Sequence, residues 1–451
     1  HRLPPTDSIR VEEFVNYFNY DLDAPNEDDD HPINIGSEIT RCPWNDESQL
    51  VRISLATTVP KGKRPPCNLV FLIDTSGSMK SSNKLPLAIE GLRKLTKNLR
   101  EDDRIAIVVY ASSTGVVLES TPGDKKKKIR KALSSLEAGG STNGGAGIRL
   151  AYDLARDYFI EDGVNRVMLC TDGDFNVGTT SDTELVDLIA KQSAGGIDLT
   201  VLGFGSDNLN DAMLEQISGR GNGNYAFIDS STEANRVLVR QMDATMVTVA
   251  RDVKIQVEFN PAKVSRYRLV GYQNRRLANA DFANDKKDAG EIGTGHQVTA
   301  LYELQFAGVN ADGGVEANTS QLRYQTQRTE LVGSEESFHV KVRYKPVDDV
   351  NAASTLIEKP VQIPEELNSD GSTNQQLAVS MAQFALKLRR SDSVKELTWQ
   401  QLKKSLVDLK DQKWLAEQSS ELDSAISMIR QASELAPDVD ENVGSDEPKG
   451  E

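Results

Sequence analysis

The stretch LVFLIDTSGSM, residues 69–79, decides how the chain is read. Its first five residues form an unbroken apolar run, bounded at once by a polar turn. A run that short and that apolar predicts a strand buried on both faces, as in a parallel sheet. IAIVVY (105–110), VMLC (167–170) and DLTVLGF (198–204) have the same character. Between them the apolar residues step at three and four: Leu85, Ala88, Ile89, Leu92, Leu95 and Leu99, then Ile148, Ala151, Tyr152, Ala155 and Phe159. Strand and helix alternating from 68 to about 245 predict βαβ units, hence an α/β fold with a doubly wound, mostly parallel sheet.

Outside that span the period is two. LVRISLA (50–56) alternates as a half-buried strand. From 252, DVKIQVEF puts Val253, Ile255, Val257 and Phe259 on one side, and QVTALYELQF and FHVKVRY behave similarly. These segments predict an antiparallel, β-sandwich-like region. The strand at 50–56 shares their style, so it is expected to pair with them. The α/β unit would then be an insertion in the β region. C-terminal helices follow, with stripes at Leu377, Met381, Phe384 and Leu388, at Leu402, Leu406 and Leu409 behind a Thr398 cap, and at Leu422, Ile426 and Ile429. Such stripes read as core packing. At the front, Ser8 before IRVEEFVNYF predicts a capped helix with Val11, Phe14, Val15 and Phe18 on one face. The expected division is 1–49 (N-terminal segment), 50–66 (strand joining the β region), 67–247 (α/β domain), 248–365 (β-sandwich-like domain), 366–437 (helical region) and 438–451 (disordered acidic tail).

Composition narrows the function. The 451 residues carry 52 Lys and Arg against 68 Asp and Glu, a formal charge of −16. Nucleic acid and anionic membranes both demand a dense basic footprint, so neither is expected as a partner. The basic run DKKKKIRK (124–131) reads as the solvated start of a helix. No apolar run approaches the ~18 residues of a transmembrane helix. The four His (His1, His31, His296, His339) stand apart from one another and from any candidate nucleophile, which weakens His-based zinc sites and Ser-His-Asp hydrolysis. Of the three Cys, Cys170 falls in an apolar run, and a Cys42–Cys67 bridge is left open. The chain starts at His1 without Met or an apolar leader, so a trimmed or mature chain is expected.

In an open α/β sheet, ligands bind beyond the carboxyl ends of the strands. Asp74, Ser76 and Ser78 stand there, in a tight turn around Gly77. Two further segments are expected at the same edge. One is the Gly139–Gly145 run, which contains Thr142. The other is Thr171-Asp172-Gly173-Asp174, directly after VMLC. The available donors are hard oxygens, two carboxylates and three hydroxyls. Such a set suits Mg²⁺, with Mn²⁺ or Ca²⁺ as alternatives. A divalent ion held mainly by neutral hydroxyls stays under-neutralised and favours an external carboxylate.

DTSGS, the Thr of GGSTN and the Asp of TDGD, in that order and spacing, resemble the metal-ion-dependent adhesion site of the von Willebrand factor type A domain. The resemblance implies a Rossmann-like type A domain. Ser76, Ser78 and Thr142 would be direct ligands, and Asp74 and Asp172 would act directly or through water. All five positions match. IRVEEFVNYF, CPWN, CTDGDFNVG, GNGNYAFID and VKIQVEFNP resemble, over nearly the whole chain, a bacterial group that pairs an N-terminal associated segment with a C-terminal domain of unknown function. The family implies a non-enzymatic protein-binding role, in adhesion or complex assembly. The captured group would be an acidic residue of a partner protein. The location implied is the bacterial cell envelope, periplasm or exterior, with a lipid anchor upstream. Type A domains also switch between closed and open forms, here by movement of the last helix (about 232–247). The first rival reading is an intracellular scaffold or assembly factor beside an AAA-type ATPase. The second, a metal-dependent hydrolase, lacks a visible general base and oxyanion donors. Ser76 also replaces the second Asp of aspartyl-phosphate enzymes. No GxxxxGK[ST] or GxSxG is present, and Val177 and Thr183 break the calcium loop that Asp172 would open.

Overall fold

Three sheets organise the chain in a computed structural model that describes residues 3–59, 62–141, 144–173, 182–205, 211–240, 247–272, 282–284, 289–306, 335–347, 352–364, 367 and 370–438. A short helix α1 (Val11–Val15) precedes an antiparallel hairpin of β1 (Ile33–Arg41) and β2 (Gln49–Thr57). Then comes the α/β unit: β3 (Cys67–Asp74), α2 (Leu85–Leu95), β4 (Arg104–Tyr110), β5 (Thr114–Pro122), α3 (Lys126–Ser134), α4 (Gly144–Asp157) and β6 (Val164–Thr171). It continues with α5 (Asp182–Ala194), β7 (Ile197–Phe204), α6 (Asp211–Arg220), β8 (Tyr225–Ile228) and α7 (Ser231–Asn235). Strands β9 (Thr248–Phe259), β10 (Val264–Val270), β11 (Gly290–Gly293), β12 (Gln297–Phe306), β13 (Phe338–Lys345) and β14 (Thr355–Val361) follow. The chain ends in α8 (Thr373–Leu388), α9 (Trp399–Val407) and α10 (Ser419–Leu435).

The central sheet has the order β5-β4-β3-β6-β7-β8, parallel throughout except for β5. Its strands are apolar on both faces because helices cover both. Leu69, Phe71 and Ile73 pack with Ala88 and Leu92 of α2 and with Ile129 and Leu133 of α3. Val70 and Leu72 point the other way, onto Ile148 and Ala151 of α4, Ile189 of α5 and Ile217 of α6. Each fully buried Val, Leu, Ile or Phe among them contributes about 1.5–3 kcal/mol. The sequence reading passed over β5 and β8. Both are edge strands: β8 is only the four residues YAFI, and β5 is half-exposed, with no continuous apolar run along its length.

The expected insertion is present. Strand β2 lies beside β12, with Ala56 opposite Gln297 and Gln49 opposite Leu304, so the chain leaves the β region, builds the α/β unit and returns. Sheet β1-β2-β12-β10 packs on sheet β11-β9-β13-β14 through Val51, Ile53, Leu55, Phe338 and Val340. One correction concerns β2, whose alternation predicts a half-buried strand. It is buried on both faces, because Leu50 and Leu301 on its sheet's far side meet the helical layer. The intervening Arg52 is buried too, paired with Glu38 at 2.7 Å and donating to Gln375 of α8 at 3.2 Å.

The N-terminal segment joins the β and helical layers. Val11, Val15 and Phe18 are buried, and the Phe14 ring stands edge-on to Phe384 at 5.3 Å. Asn16 donates to the Tyr272 hydroxyl and the Thr299 carbonyl, both at 2.9 Å, and accepts from Thr299 N at 2.7 Å. Ser8 does not cap this helix. Its hydroxyl turns back to the Pro5 carbonyl at 2.7 Å within a preceding 3₁₀ turn, and α1 begins after Arg10. Thr398 does cap α9, in a reciprocal box with Gln401.

Other expectations are revised. The helix whose stripe is Ile148, Ala151, Tyr152, Ala155 and Phe159 starts at Gly144 and ends at Asp157, leaving Phe159 beyond it and 44% exposed. Gly147 lets α4 approach the sheet, since a Cβ there would lie 2.9 Å from Tyr110 Cβ. The last helix of the unit is α-helical only over Ser231–Asn235, then turns π-helical over Arg236–Arg240. Residues 241–246 lie outside the described residues, as does the acidic tail beyond Asp438. Cys42 and Cys67 are not bridged. All three cysteines are free and buried, Cys42 in the helical-layer core and Cys67 in the central-sheet core. Burial pushes each thiol up to about 12.

Candidate metal centre

Strands β3 and β6 are parallel neighbours with Ile73 opposite Cys170. That register releases Asp74 and Asp172 from the same carboxyl edge, one residue offset. The turn after β3 is held from within: Ser76 N donates to Asp74 Oδ1 at 2.7 Å, and the Ser76 and Ser78 hydroxyls lie 2.9 Å apart. Met79, fully buried, anchors the 3₁₀ turn Gly77–Lys80 to the core. The glycine run is tied to this turn by its backbone. Gly77 N donates to Gly140 O at 3.0 Å, and Gly139 N donates to Thr75 O at 2.8 Å. Gly140 has a φ of +88° and sits where a Cβ would meet Ser112 Oγ at 2.4 Å, so only glycine fits.

The structure thus brings Asp74, Ser76, Ser78 and Asp172 to one edge. Thr142 lies outside the described residues, as does Asp174, and the described Ser141 N donates to Ser112 Oγ at 2.9 Å. Asp74 is 0% exposed and Asp172 4%. Burial pushes the Asp74 carboxyl up to about 6 and the Asp172 charge adds to the rise, against hydrogen bonding from Ser76 and a smaller opposing contribution from the nearby Tyr110 hydroxyl. Asp74 Oδ2 and Asp172 Oδ1 are buried with no partner in hydrogen-bonding geometry among the described residues. A buried carboxylate oxygen left so is costly unless something from outside completes it. A hard divalent cation would do so, and the donor set fits one. Among the described residues no group of three or more His, Cys, Asp or Glu gathers to hold a metal.

Two features escaped the sequence reading. Lys84, at the start of α2, sends its Nζ to Asp172 Oδ2 at 2.8 Å. No motif marks a single lysine, so no signal pointed to it. Residues of the unit's last turn also reach the other layers. Arg240 pairs with the buried Glu421 of α10 at 2.6 Å, and Arg236 stacks over the Tyr17 ring at 5.5 Å. Two of the histidines take part in packing: His339 is fully buried, and His31 is 3.1 Å from the Tyr344 hydroxyl.

Comparison with known proteins agrees with the architecture. The von Willebrand factor type A domain matches residues 68–241, a family described as von Willebrand factor matches 1–52, and "Uncharacterized protein YfbK, C-terminal" matches 244–435. The chain is 40% identical over 409 residues to YfbK of Escherichia coli (strain K12), covering 89% of this chain and 69% of that protein. It is 26% identical over 269 residues to inter-alpha-trypsin inhibitor heavy chain H3 of Mesocricetus auratus, covering 54% of this chain but 29% of the relative. Among solved structures, a von Willebrand factor type A protein from Catenulispora acidiphila aligns with a TM-score of 0.44 at 15% identity, over 88% of this chain and 89% of that one. With a type A domain between the two flanking regions that YfbK-like proteins carry, the chain belongs to the YfbK family of von Willebrand factor type A domain proteins.

Proposed function

We propose that the chain binds a divalent cation, Mg²⁺ or alternatively Mn²⁺ or Ca²⁺, at the carboxyl edge of its central sheet, and through it captures an acidic side chain of a partner protein. The observation that carries this reading is a pair of buried carboxylates, Asp74 and Asp172, each with one oxygen lacking a partner in hydrogen-bonding geometry among the described residues, beside two hydroxyls 2.9 Å apart. Ser76, Ser78 and Thr142 would hold the ion through their hydroxyls. Asp74 and Asp172 would supply charge, directly or through water, and Asp74 already orients the turn through Ser76 N. The bound ion supplies a Lewis-acidic centre whose charge the hydroxyls leave uncompensated, which favours a carboxylate as its last ligand. Type A domains are in general interaction modules, and no catalytic role is proposed.

Placement in the bacterial cell envelope is part of this proposal, and cell fractionation checks it. Recovery in the cytoplasm beside an AAA-type ATPase would favour the assembly-factor reading instead. Among the described residues no helix is long and apolar enough to cross a membrane. The direct test is capture of interacting proteins by the intact chain with and without EDTA, alongside Thr142→Ala. Partners lost in EDTA and in the variant are expected. Partners retained equally in all three would defeat the proposal.

A further inference from the structure

Lys84 is built into the candidate site. Its backbone is fixed on both sides, Lys84 N donating to Ser81 O at 3.0 Å and Ala88 N donating to Lys84 O at 2.9 Å. Its stem lies across Gly205, just past β7. That glycine has a φ of +120°, and a Cβ on it would meet Lys84 Cε at 3.0 Å and Cγ at 3.4 Å. The bare backbone is therefore what leaves room for the stem. At its end the ammonium sits 2.8 Å from Asp172 Oδ2, with 16% of the lysine side chain and 2% of the aspartate side chain exposed. A pair so enclosed feels much less screening than one in open water.

We propose that Lys84 is a tethered cation that competes with the divalent ion for Asp172 and thereby weakens metal binding by the isolated protein. The inference rests on the metal reading above. Asp74 and Asp172 together carry two negative charges, a match for a divalent ion. With Lys84 in place an incoming ion meets one net negative charge and an ammonium already on Asp172. The ion must either displace that ammonium from an enclosed position or bind beside a like charge. Both weaken it. The site with ion and Lys84 together is then more positive than the ion and carboxylates alone, so a partner's acidic group has more to neutralise. Lys84 would in this way make ion binding and partner binding support each other.

The experiment is titration of the full chain with Mn²⁺ alone, read as free Mn²⁺ by electron paramagnetic resonance, for wild type, Lys84→Met, Lys84→Gln and Lys84→Arg. Met and Gln keep an unbranched stem of similar length without the charge, so the failure of one variant to fold leaves the other. Lys84→Met and Lys84→Gln are expected to bind Mn²⁺ at least ~10-fold more tightly than wild type, and Lys84→Arg to stay within ~3-fold of it. Wild-type affinity in Met and Gln variants that bind the ion overturns the role of Lys84 and leaves the metal reading standing. No Mn²⁺ uptake by any of the four proteins overturns both.

Discussion

Among the carboxylates that the central sheet buries, Asp103 at its amino edge and Asp74 at its carboxyl edge are treated in opposite ways. At the amino edge, Asp103 is 0% exposed and receives the Arg64 guanidinium through both oxygens, at 2.7 and 2.6 Å. The backbone N–H groups of Cys67 and Arg100 add bonds at 3.0 and 2.6 Å. Burial alone would raise this acid, but the guanidinium and the backbone donors outweigh it and hold it below its ordinary value. At the carboxyl edge, Asp74 is equally buried, accepts from Ser76 N through one oxygen, and is pushed up to about 6. The chain itself completes Asp103, which is therefore a structural group. It leaves one oxygen of Asp74 without a partner in hydrogen-bonding geometry among the described residues, the oxygen that the proposed ion would complete.

Substitutions at the two ends should separate these roles. The largest effect is expected at the completed acid. Asp103→Ala removes the carboxylate that holds both arms of the Arg64 guanidinium and should cost about 3–5 kcal/mol in urea unfolding, with little change in Mn²⁺ uptake by the protein that remains folded. A stability loss under ~1 kcal/mol would break the comparison. Asp74→Asn should do the reverse. In EDTA at pH 7 it removes an incompletely solvated buried charge and should gain about 1–3 kcal/mol, the range a rise of roughly two pKa units allows.

The two acids also differ in the sign of their pH dependence. Asp74 is raised, so its folded form keeps a proton that the unfolded chain has released. In EDTA it should make stability fall as pH rises from 3.8 to about 6. Asp103 is lowered, so its contribution is fully present above 3.8 and is lost as pH falls through its folded value. Urea midpoints across pH 3–7 for wild type and Asp74→Asn check this, and an identical fall in both proteins would remove Asp74 as its source. The smallest effect concerns neither end directly. Arg240→Met leaves the buried Glu421 without its partner and should cost about 1 kcal/mol in urea unfolding. No loss would show that the π-helical turn is not fastened to the helical layer.

The parts of the molecule that the sequence disclosed share one property, a local pattern with a physical cause. LVFLI is continuous because helices cover both faces of β3, and DTSGS is recognisable because a tight turn after a strand leaves few ways to aim a carboxylate and two hydroxyls at one point. The reading failed where the cause was not local. Arg52 and Ser54 look solvent-facing in a period-two strand, yet both are buried, Arg52 against α8 from some three hundred residues later. Strand β5 is half-exposed and β8 is brief, so their membership in the sheet depends on neighbours. RVLVR (236–240) has the spacing of an ordinary helix, and its π geometry appears only where its arginines meet Tyr17 and Glu421. Lys84 is one lysine among many until Gly205 opens a path to Asp172.

The central claim is that Asp74 is left incomplete for a divalent ion. The most direct test is the thermal unfolding midpoint of wild type and Asp74→Asn, each in EDTA and in Mg²⁺ at ~100 times the wild-type dissociation constant. Wild type should be stabilised by Mg²⁺, by about 2.7 kcal/mol when the ion stands at ~100 times its dissociation constant. Asp74→Asn should start higher in EDTA and gain little. An equal Mg²⁺ shift in both proteins, or none in wild type, would contradict the account.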